Sequence, residues 1–285
     1  MQIGLRGERN RLVVEVAPTP ASAGTSEPGG SGGGGIGGVT CSARMASMTP
    51  ATLVLVHGGS ATSLMWDPVL PHLCAPAVAV DLPGRRYRPA DLGRIGRREW
   101  EQSVIDDVLA IDCDRIVLVG HSSGGYVIPG VSAGLPNGLV SHLVFVAATC
   151  PLEGDRPVDA LTEKLRALTE PSEDFMRERA LGRTLRALRD GEPPIETDLE
   201  VIELEARMGV EAPSQLFQPM TWLGVPDVPR TYVRALRDRV IPPEHSAIMA
   251  ANAKATRVID MDAEHDVAAT APIELAHLLD DIAAT

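Results

Sequence analysis

From Thr52 onward, short apolar runs rich in β-branched residues alternate with longer segments of helical periodicity. This alternation is typical of βαβ units, in which parallel strands form one sheet that helices cover on both faces. The predicted strands cover residues 52–56, 77–80, 115–119, 142–147, 231–236 and 256–261. The predicted helices cover residues 66–74, 98–110, 123–133, 243–252 and 272–283. We therefore expect an α/β fold with a mostly parallel sheet flanked by helices.

Two segments fall outside this alternation. Residues 1–48 are rich in glycine, proline and serine, a composition that buries too little apolar surface to offset the entropy of ordering. We expect a flexible leader there, with an accessory strand possible at 11–16, ahead of one domain at 49–285. Residues 151–222 contain charged, helix-like segments and no convincing strand. This insertion predicts a helical cap over the edge of the sheet.

The charge balance limits the kinds of partner that we expect the protein to bind. Lysine and arginine number 26 against 38 acidic residues, and the formal charge of −12 repels phosphate backbones and anionic lipid headgroups. We expect neither nucleic acid nor a membrane as a partner, and the absence of a long apolar run favours a cytoplasmic protein.

The four cysteines lack C-x-x-C spacing, so no metal site or disulfide framework is expected. No cofactor is expected either. A monomer and a homodimer both remain open.

The residues L-V-G-H-S-S-G-G-Y-V at 118–127 place two serines in a glycine-rich turn after an apolar run. The pattern G-x-S-x-G is satisfied by Gly120, Ser122 and Gly124, whereas Ser123 would need glycine where His121 stands. In a sharp strand-to-helix turn such glycines avoid collisions, and the serine is held out at the end of the strand. We predict that Ser122 is a nucleophile, with a purely structural turn as the alternative.

A serine hydroxyl needs a base to remove its proton, and histidine has a suitable pKa near neutrality. His265 is the predicted base because it follows the last predicted strand, at the carboxyl edge of the sheet, where parallel α/β proteins place their sites. Asp238 follows the preceding strand and is the predicted acid that fixes the tautomer of the base. Acids next to His265 in sequence, and Glu153 or Asp155, are the alternatives.

The run L-V-L-V-H-G-G-S at 53–60 ends the first predicted strand in two glycines. Glycines there let a backbone N–H turn towards the site, so we predict an oxyanion hole formed by the N–H groups of Gly59 and Ser123. His57 is expected to shape this loop by hydrogen bonding without transferring a proton. His121, beside the nucleophile, is expected to point elsewhere.

These motifs together resemble the α/β-hydrolase superfamily, and within it the branch of plant methylesterases and hydroxynitrile lyases with their bacterial esterase relatives. The resemblance rests on V-L-V-H-G-G with Trp66 downstream, A-V-D-L-P-G-R, V-G-H-S-S-G-G, Y-V-R-A-L-R-D-R-V-I-P-P and R-V-I-D-M-D-A-E-H-D. It implies an α/β-hydrolase fold with a helical cap and a Ser-His-Asp triad. Hydroxynitrile lyases of that branch commonly carry threonine and lysine where this chain has Gly58 and Asp266, which favours hydrolysis.

We therefore expect a serine hydrolase that cleaves a small to medium apolar carboxylic ester through an acyl-enzyme. A thioesterase, a lactonase or a carbon–carbon bond hydrolase on the same triad is an alternative within enzymes, and a small-molecule receptor of the same fold is one outside them. Four aromatic residues are candidates for contact with the substrate, although plain packing is the favoured role for each: Trp66, Tyr126, Phe175 and Trp222.

Overall fold

The computed structural model describes residues 3–6, 13–16, 49–85, 88, 90–163, 166 and 213–285. Within the first 48 residues, β1 (Ile3–Arg6) and β2 (Val13–Val16) pair as an antiparallel two-stranded sheet. The accessory strand expected at 11–16 is therefore present as β2. The other residues of 1–48 lie outside the described part of the chain, so the flexible leader stays a prediction.

Six parallel strands form the main sheet, in the order β4-β3-β5-β6-β7-β8. Their bounds are β3 (Thr52–Val56), β4 (Ala77–Val80), β5 (Ile116–His121), β6 (Val140–Val146), β7 (Arg230–Ala235) and β8 (Arg257–Met261). All six predicted strands are confirmed, the first two to the residue. Since every pair is parallel, the carboxyl ends of all six strands lie at one edge.

The helices are α1 (Arg97–Leu109), α2 (Ile128–Gly134), α3 (Pro243–Asn252), α4 (Val267–Thr270) and α5 (Pro272–Ala283). The helix predicted at 66–74 is wrong: two short 3₁₀ turns, Ser63–Trp66 and Leu70–His72, occupy this region. Pro68 and Pro71 explain the difference, because each lacks the backbone N–H that a continuous α-helix requires. The helix predicted at 123–133 likewise begins as a 3₁₀ turn and becomes α-helical only at α2.

The inner strands β3 and β5 are buried at every position, as in parallel sheets covered on both faces. Along β3, alternate side chains enter two separate apolar clusters: Val54 and Val56 face α1, α2 and α3, whereas Leu53 and Leu55 face α5. All four side chains have no exposed surface. β3 is therefore buried at every position and lies in the middle layer of three.

The predicted cap at 151–222 is described only at its two ends. Residues 164, 165 and 167–212 lie outside the described part of the chain, so the helical character of the cap stays a prediction. At the returning end, the Gln215 side chain accepts a hydrogen bond from the Tyr126 hydroxyl, and Gln218 Oε1 accepts one from Arg97 N–H at 2.9 Å. At the outgoing end, His245 Nε2–H donates to the Ala160 carbonyl at 2.7 Å.

The cysteines depart in part from the sequence-based expectation. Cys74 is disulfide-bonded, to a partner outside the described residues, while Cys113 and Cys150 are free thiols. The spacing of the four cysteines does not indicate this single bond, since it implies no disulfide framework. No cluster of metal-ligating side chains occurs among the described residues. Nor does any helix in the described ranges have the length and apolar character to cross a membrane.

Candidate active site

The turn after β5 holds Ser122 in a left-handed backbone conformation, with φ of +50°. Such a conformation is strained for a residue with a side chain and persists only where the surroundings enforce it. A Cβ on Gly120 would lie 2.6 Å from the Gly124 carbonyl oxygen, and one on Gly124 would lie 2.9 Å from the Val56 oxygen. Both glycines of the G-x-S-x-G pattern are therefore required by close backbone packing.

Ser122, His265 and Asp238 form one hydrogen-bonded chain. The Ser122 Oγ lies 3.0 Å from His265 Nε2, and His265 Nδ1 lies 2.8 Å from Asp238 Oδ2. Because a carboxylate only accepts, Nδ1 carries the proton and Nε2 is free to accept the serine hydroxyl proton. The Asp238 side chain is 1% exposed and that of His265 is 20% exposed, so the acid is buried while the base is partly accessible.

Two paired strands bring the acid and the base together. The pairing of β7 with β8 continues beyond both strands, where Leu236 N–H donates to Met261 O and Arg237 N–H donates to Ala263 O, each at 2.9 Å. The loops that carry Asp238 and His265 therefore run side by side. Asp238 Oδ1 also accepts the N–H groups of Val240 at 2.7 Å and Ile241 at 2.8 Å. These two bonds fix the carboxylate and leave its other oxygen for the imidazole.

The loop after β3 lies against the nucleophile. A Cβ on Gly58 would be 3.0 Å from the Ser122 Cβ and 2.6 Å from His121 Nδ1, so only glycine fits at this position. The N–H groups of Gly59, in this loop, and of Ser123, at the start of the 3₁₀ turn, donate to no acceptor in the described ranges. Free backbone donors beside a nucleophile are what an oxyanion hole requires, so the hole predicted from Gly59 and Ser123 stays a prediction.

His57 braces this loop and stays neutral. Its Nε2 accepts the Leu82 N–H at 3.1 Å, so its Nδ1 carries the proton and donates to the Gly58 carbonyl at 2.8 Å. Complete burial, reinforced by the Arg85 guanidinium, lowers the pKa of His57 to about 3. The expectation that His57 shapes the loop by hydrogen bonding is confirmed by these two contacts.

His121 is placed differently from expectation. Its Nε2 lies 2.9 Å from the backbone carbonyl oxygen of His265, and the two rings are 5.0 Å apart between centroids. The prediction that His121 points away is therefore wrong. Sequence reasoning missed it because the contact joins residues 144 positions apart and uses a backbone atom of the partner. Its only sequence signal is its position directly before the nucleophile.

The predicted aromatic residues lie mostly in packing positions. Trp66 and Tyr126 are 0% and 1% exposed, so neither offers surface to a ligand in this conformation, and their assignment to the pocket wall is corrected. The Trp222 indole N–H donates to the Pro151 carbonyl at 2.9 Å and its ring packs on Phe145, which anchors the end of the cap. A contact between Trp222 and substrate stays a prediction. Phe175 lies outside the described residues.

Comparisons with known proteins identify relatives of this chain. Residues 53–278 match the alpha/beta hydrolase family. Putative methylesterase 14 of Arabidopsis thaliana is 30% identical over 46% of this chain and 38% of its own length. A pyrethroid hydrolase of Sphingobium wenxiniae is 26% identical over 68% of this chain and 74% of its own length. This chain therefore matches less than half of the length of the methylesterase.

Among solved structures, an extracellular α/β-hydrolase from a Paenibacillus species superposes with a TM-score of 0.64 at 24% identity. That superposition covers 82% of this chain and 99% of the other. At this level of identity the likeness concerns the fold, which is the one that the strand pattern and motifs predict.

Proposed function

The chain belongs to the alpha/beta hydrolase family, and from that premise we propose that it is a serine hydrolase acting on a small to medium apolar carboxylic ester. One observation carries the proposal: Ser122, in a strained turn, is hydrogen-bonded through His265 to the buried carboxylate of Asp238. This is the arrangement that turns a weak hydroxyl nucleophile into a reactive one.

In the first half of the reaction, His265 Nε2 takes the proton from Ser122 Oγ as the oxygen attacks the ester carbonyl carbon. Asp238, held by two backbone N–H groups, stabilises the imidazolium that forms. The developing negative charge on the substrate oxygen is bound by the N–H groups of Gly59 and Ser123. Loss of one such donor typically costs about 10²- to 10³-fold in rate.

The tetrahedral intermediate then collapses, and His265 gives its proton to the leaving alcohol. The product of this half-reaction is an ester of Ser122 with the acyl group of the substrate. A water molecule, deprotonated by the same Nε2, attacks this acyl-enzyme, and collapse of the second intermediate returns the proton to Ser122 Oγ. The chain's own residues supply every proton transfer.

Two local features support hydrolysis over cyanohydrin cleavage. Position 58 has no room for a side chain, so a threonine hydroxyl cannot stand there without displacing His121. Asp266 occupies the position after the base, and its Oδ1 accepts the Ala269 N–H at 3.2 Å as a cap on α4. The cation that the lyases commonly place at this position is therefore replaced by an anion.

The proposal is tested with a fluorophosphonate, which reacts only with an activated serine. We expect a single adduct at Ser122 by peptide mass spectrometry and turnover of p-nitrophenyl esters that depends on acyl length. Ser122→Ala should abolish both. An adduct at Ser123, or undiminished turnover by Ser122→Ala, contradicts the assignment. An adduct without turnover of any ester, thioester or lactone favours a receptor of the same fold.

A further inference from the structure

We propose that His121 is a positioning residue, which sets the distance between the nucleophile and the base by holding the backbone of His265. The inference rests on the proposed function, since it concerns the geometry of the Ser122–His265 pair. His121 touches neither a substrate nor a reacting atom in this scheme. It acts through the loop that carries the base.

The first observation is a pair of parallel contacts. The adjacent residues His121 and Ser122 both bond to His265: the imidazole of His121 reaches its carbonyl oxygen at 2.9 Å, and the Ser122 hydroxyl reaches its ring at 3.0 Å. Two contacts from one turn to one residue prevent His265 from pivoting about either of them. The base is thus located by the same strand end that presents the nucleophile.

The second observation is that the His265 carbonyl oxygen already accepts two hydrogen bonds. It accepts the Val267 N–H at 3.0 Å in addition to the His121 ring. A carbonyl oxygen has two lone pairs, so these donors complete its hydrogen bonding. Loss of the His121 bond would leave one lone pair of this part-buried group unsatisfied and remove one of the bonds that hold the loop from outside.

The third observation fixes the tautomer of His121. A carbonyl only accepts, so Nε2 carries the proton and Nδ1 is bare. Nδ1 is buried, has no hydrogen-bond partner among the described residues, and faces the Gly58 backbone, where an added Cβ would lie 2.6 Å away. The edge-to-face contact with the Trp66 ring, at 6.4 Å between centroids, holds the plane of the imidazole. The ring therefore fits only as the neutral Nε2–H form.

The charge state agrees with this geometry. Burial, together with the nearby His265, lowers the pKa of His121 to about 3, and the opposing effects of the His265 carbonyl and Asp238 are smaller. A neutral His121 matters because a second cation beside the ring of His265 would disfavour the imidazolium that the reaction forms.

The test uses a matched pair of substitutions in the full-length protein. His121→Gln keeps an N–H donor close to the position of Nε2, and His121→Met has similar length without a donor. We expect His121→Met to lower kcat and the rate of fluorophosphonate labelling by about 10- to 100-fold, with KM for a p-nitrophenyl ester within about twofold. His121→Gln should recover to within about fivefold of the wild type. Met-variant rates within about twofold of the wild type, or equal impairment of both variants, would overturn the proposal.

A measurement on the wild-type protein covers the case in which His121→Met does not fold. In ¹⁵N-labelled protein, two-bond proton–nitrogen correlations report the tautomer of each of the seven histidines. The His121 signal is identified by its loss in His121→Gln. We expect the neutral Nε2–H form from pH 5 to 9, and an Nδ1–H form or titration in this range overturns the proposal. Failure of Ser122 to react with the fluorophosphonate would instead refute the proposed function.

Discussion

Replacing Asp238 by asparagine should prevent His265 from acting as a base, because the substitution changes the tautomer of its imidazole. Asp238 Oδ1 accepts two backbone N–H groups, from Val240 and Ile241, whereas Oδ2 accepts one proton from His265. In the variant, the amide oxygen should turn towards the N–H groups of Val240 and Ile241, because an amide nitrogen in that place would face two other donors. The NH₂ group then points at His265 Nδ1. That nitrogen must accept, so the imidazole proton moves to Nε2 and faces Ser122.

The size of the effect follows from this inversion. An imidazole with its proton on Nε2 cannot take the serine proton, and the same tautomer inversion in serine proteases lowers kcat by about 10⁴-fold. At about 1.36 kcal/mol for each factor of ten, this corresponds to about 5.5 kcal/mol of transition-state stabilisation. The fold should lose only about 1–2 kcal/mol, because both backbone donors keep an acceptor.

The assay is kcat for a p-nitrophenyl ester at neutral pH, with the thermal midpoint measured in parallel. Asp260→Asn is the matched control, since Asp260 is an exposed carboxylate on β8 that pairs with Arg234 at 2.7 Å. We expect the control to retain wild-type kcat. Retention of more than about a tenth of kcat by Asp238→Asn would refute both the amide orientation and the role of Asp238.

Gly120→Ala should abolish activity and destabilise the protein by about 1–3 kcal/mol, since the new Cβ would meet the Gly124 carbonyl at 2.6 Å; a soluble, active variant with an unchanged midpoint contradicts this packing. Ser123→Ala should keep most of kcat, because Ser123 is proposed to act through its backbone N–H; a collapse in rate would show that the hydroxyl takes part. Stability should fall as pH drops below about 6.5, because His57 and His121 have folded pKa values of about 3 and ionise only on unfolding. Each should contribute about 2 kcal/mol of loss between pH 7 and 5, measured by urea titration, and His57→Gln or His121→Gln should reduce this dependence by about half. An unchanged dependence in both variants would contradict the buried neutral state.

The sheet could be predicted because its strands are short, mostly apolar runs rich in β-branched residues. The run at 52–56 is bounded by polar or turn residues and is too short for a buried helix. Both ends of this strand are therefore predicted to the residue. Ser122, Asp238 and His265 could be predicted for a related reason. In a parallel sheet, the residues that follow the strands gather at one edge, and few polar residues of the required kinds stand there.

The errors concern contacts between distant segments. Sequence alone does not decide between the pocket and the core for Trp66, which lies in the core, because nothing local distinguishes an aromatic ring that packs under a loop from one that lines it. The contact of His121 could not be predicted from the sequence, because its bond is to a backbone oxygen and any residue at position 265 would offer the same atom. The helix expected at 66–74 failed for a local reason that could have been read from Pro68 and Pro71.

The attachment of the insertion at 151–222 has a consequence for engineering. The outgoing end is tied to α3 through His245 and Ala160, and the returning end is tied to the nucleophile turn through Gln215 and Tyr126. Neither tie uses a side chain between 167 and 212. Any exchange of sequence within this insertion should therefore keep Ala160 and Gln215, because each of them holds one end of it.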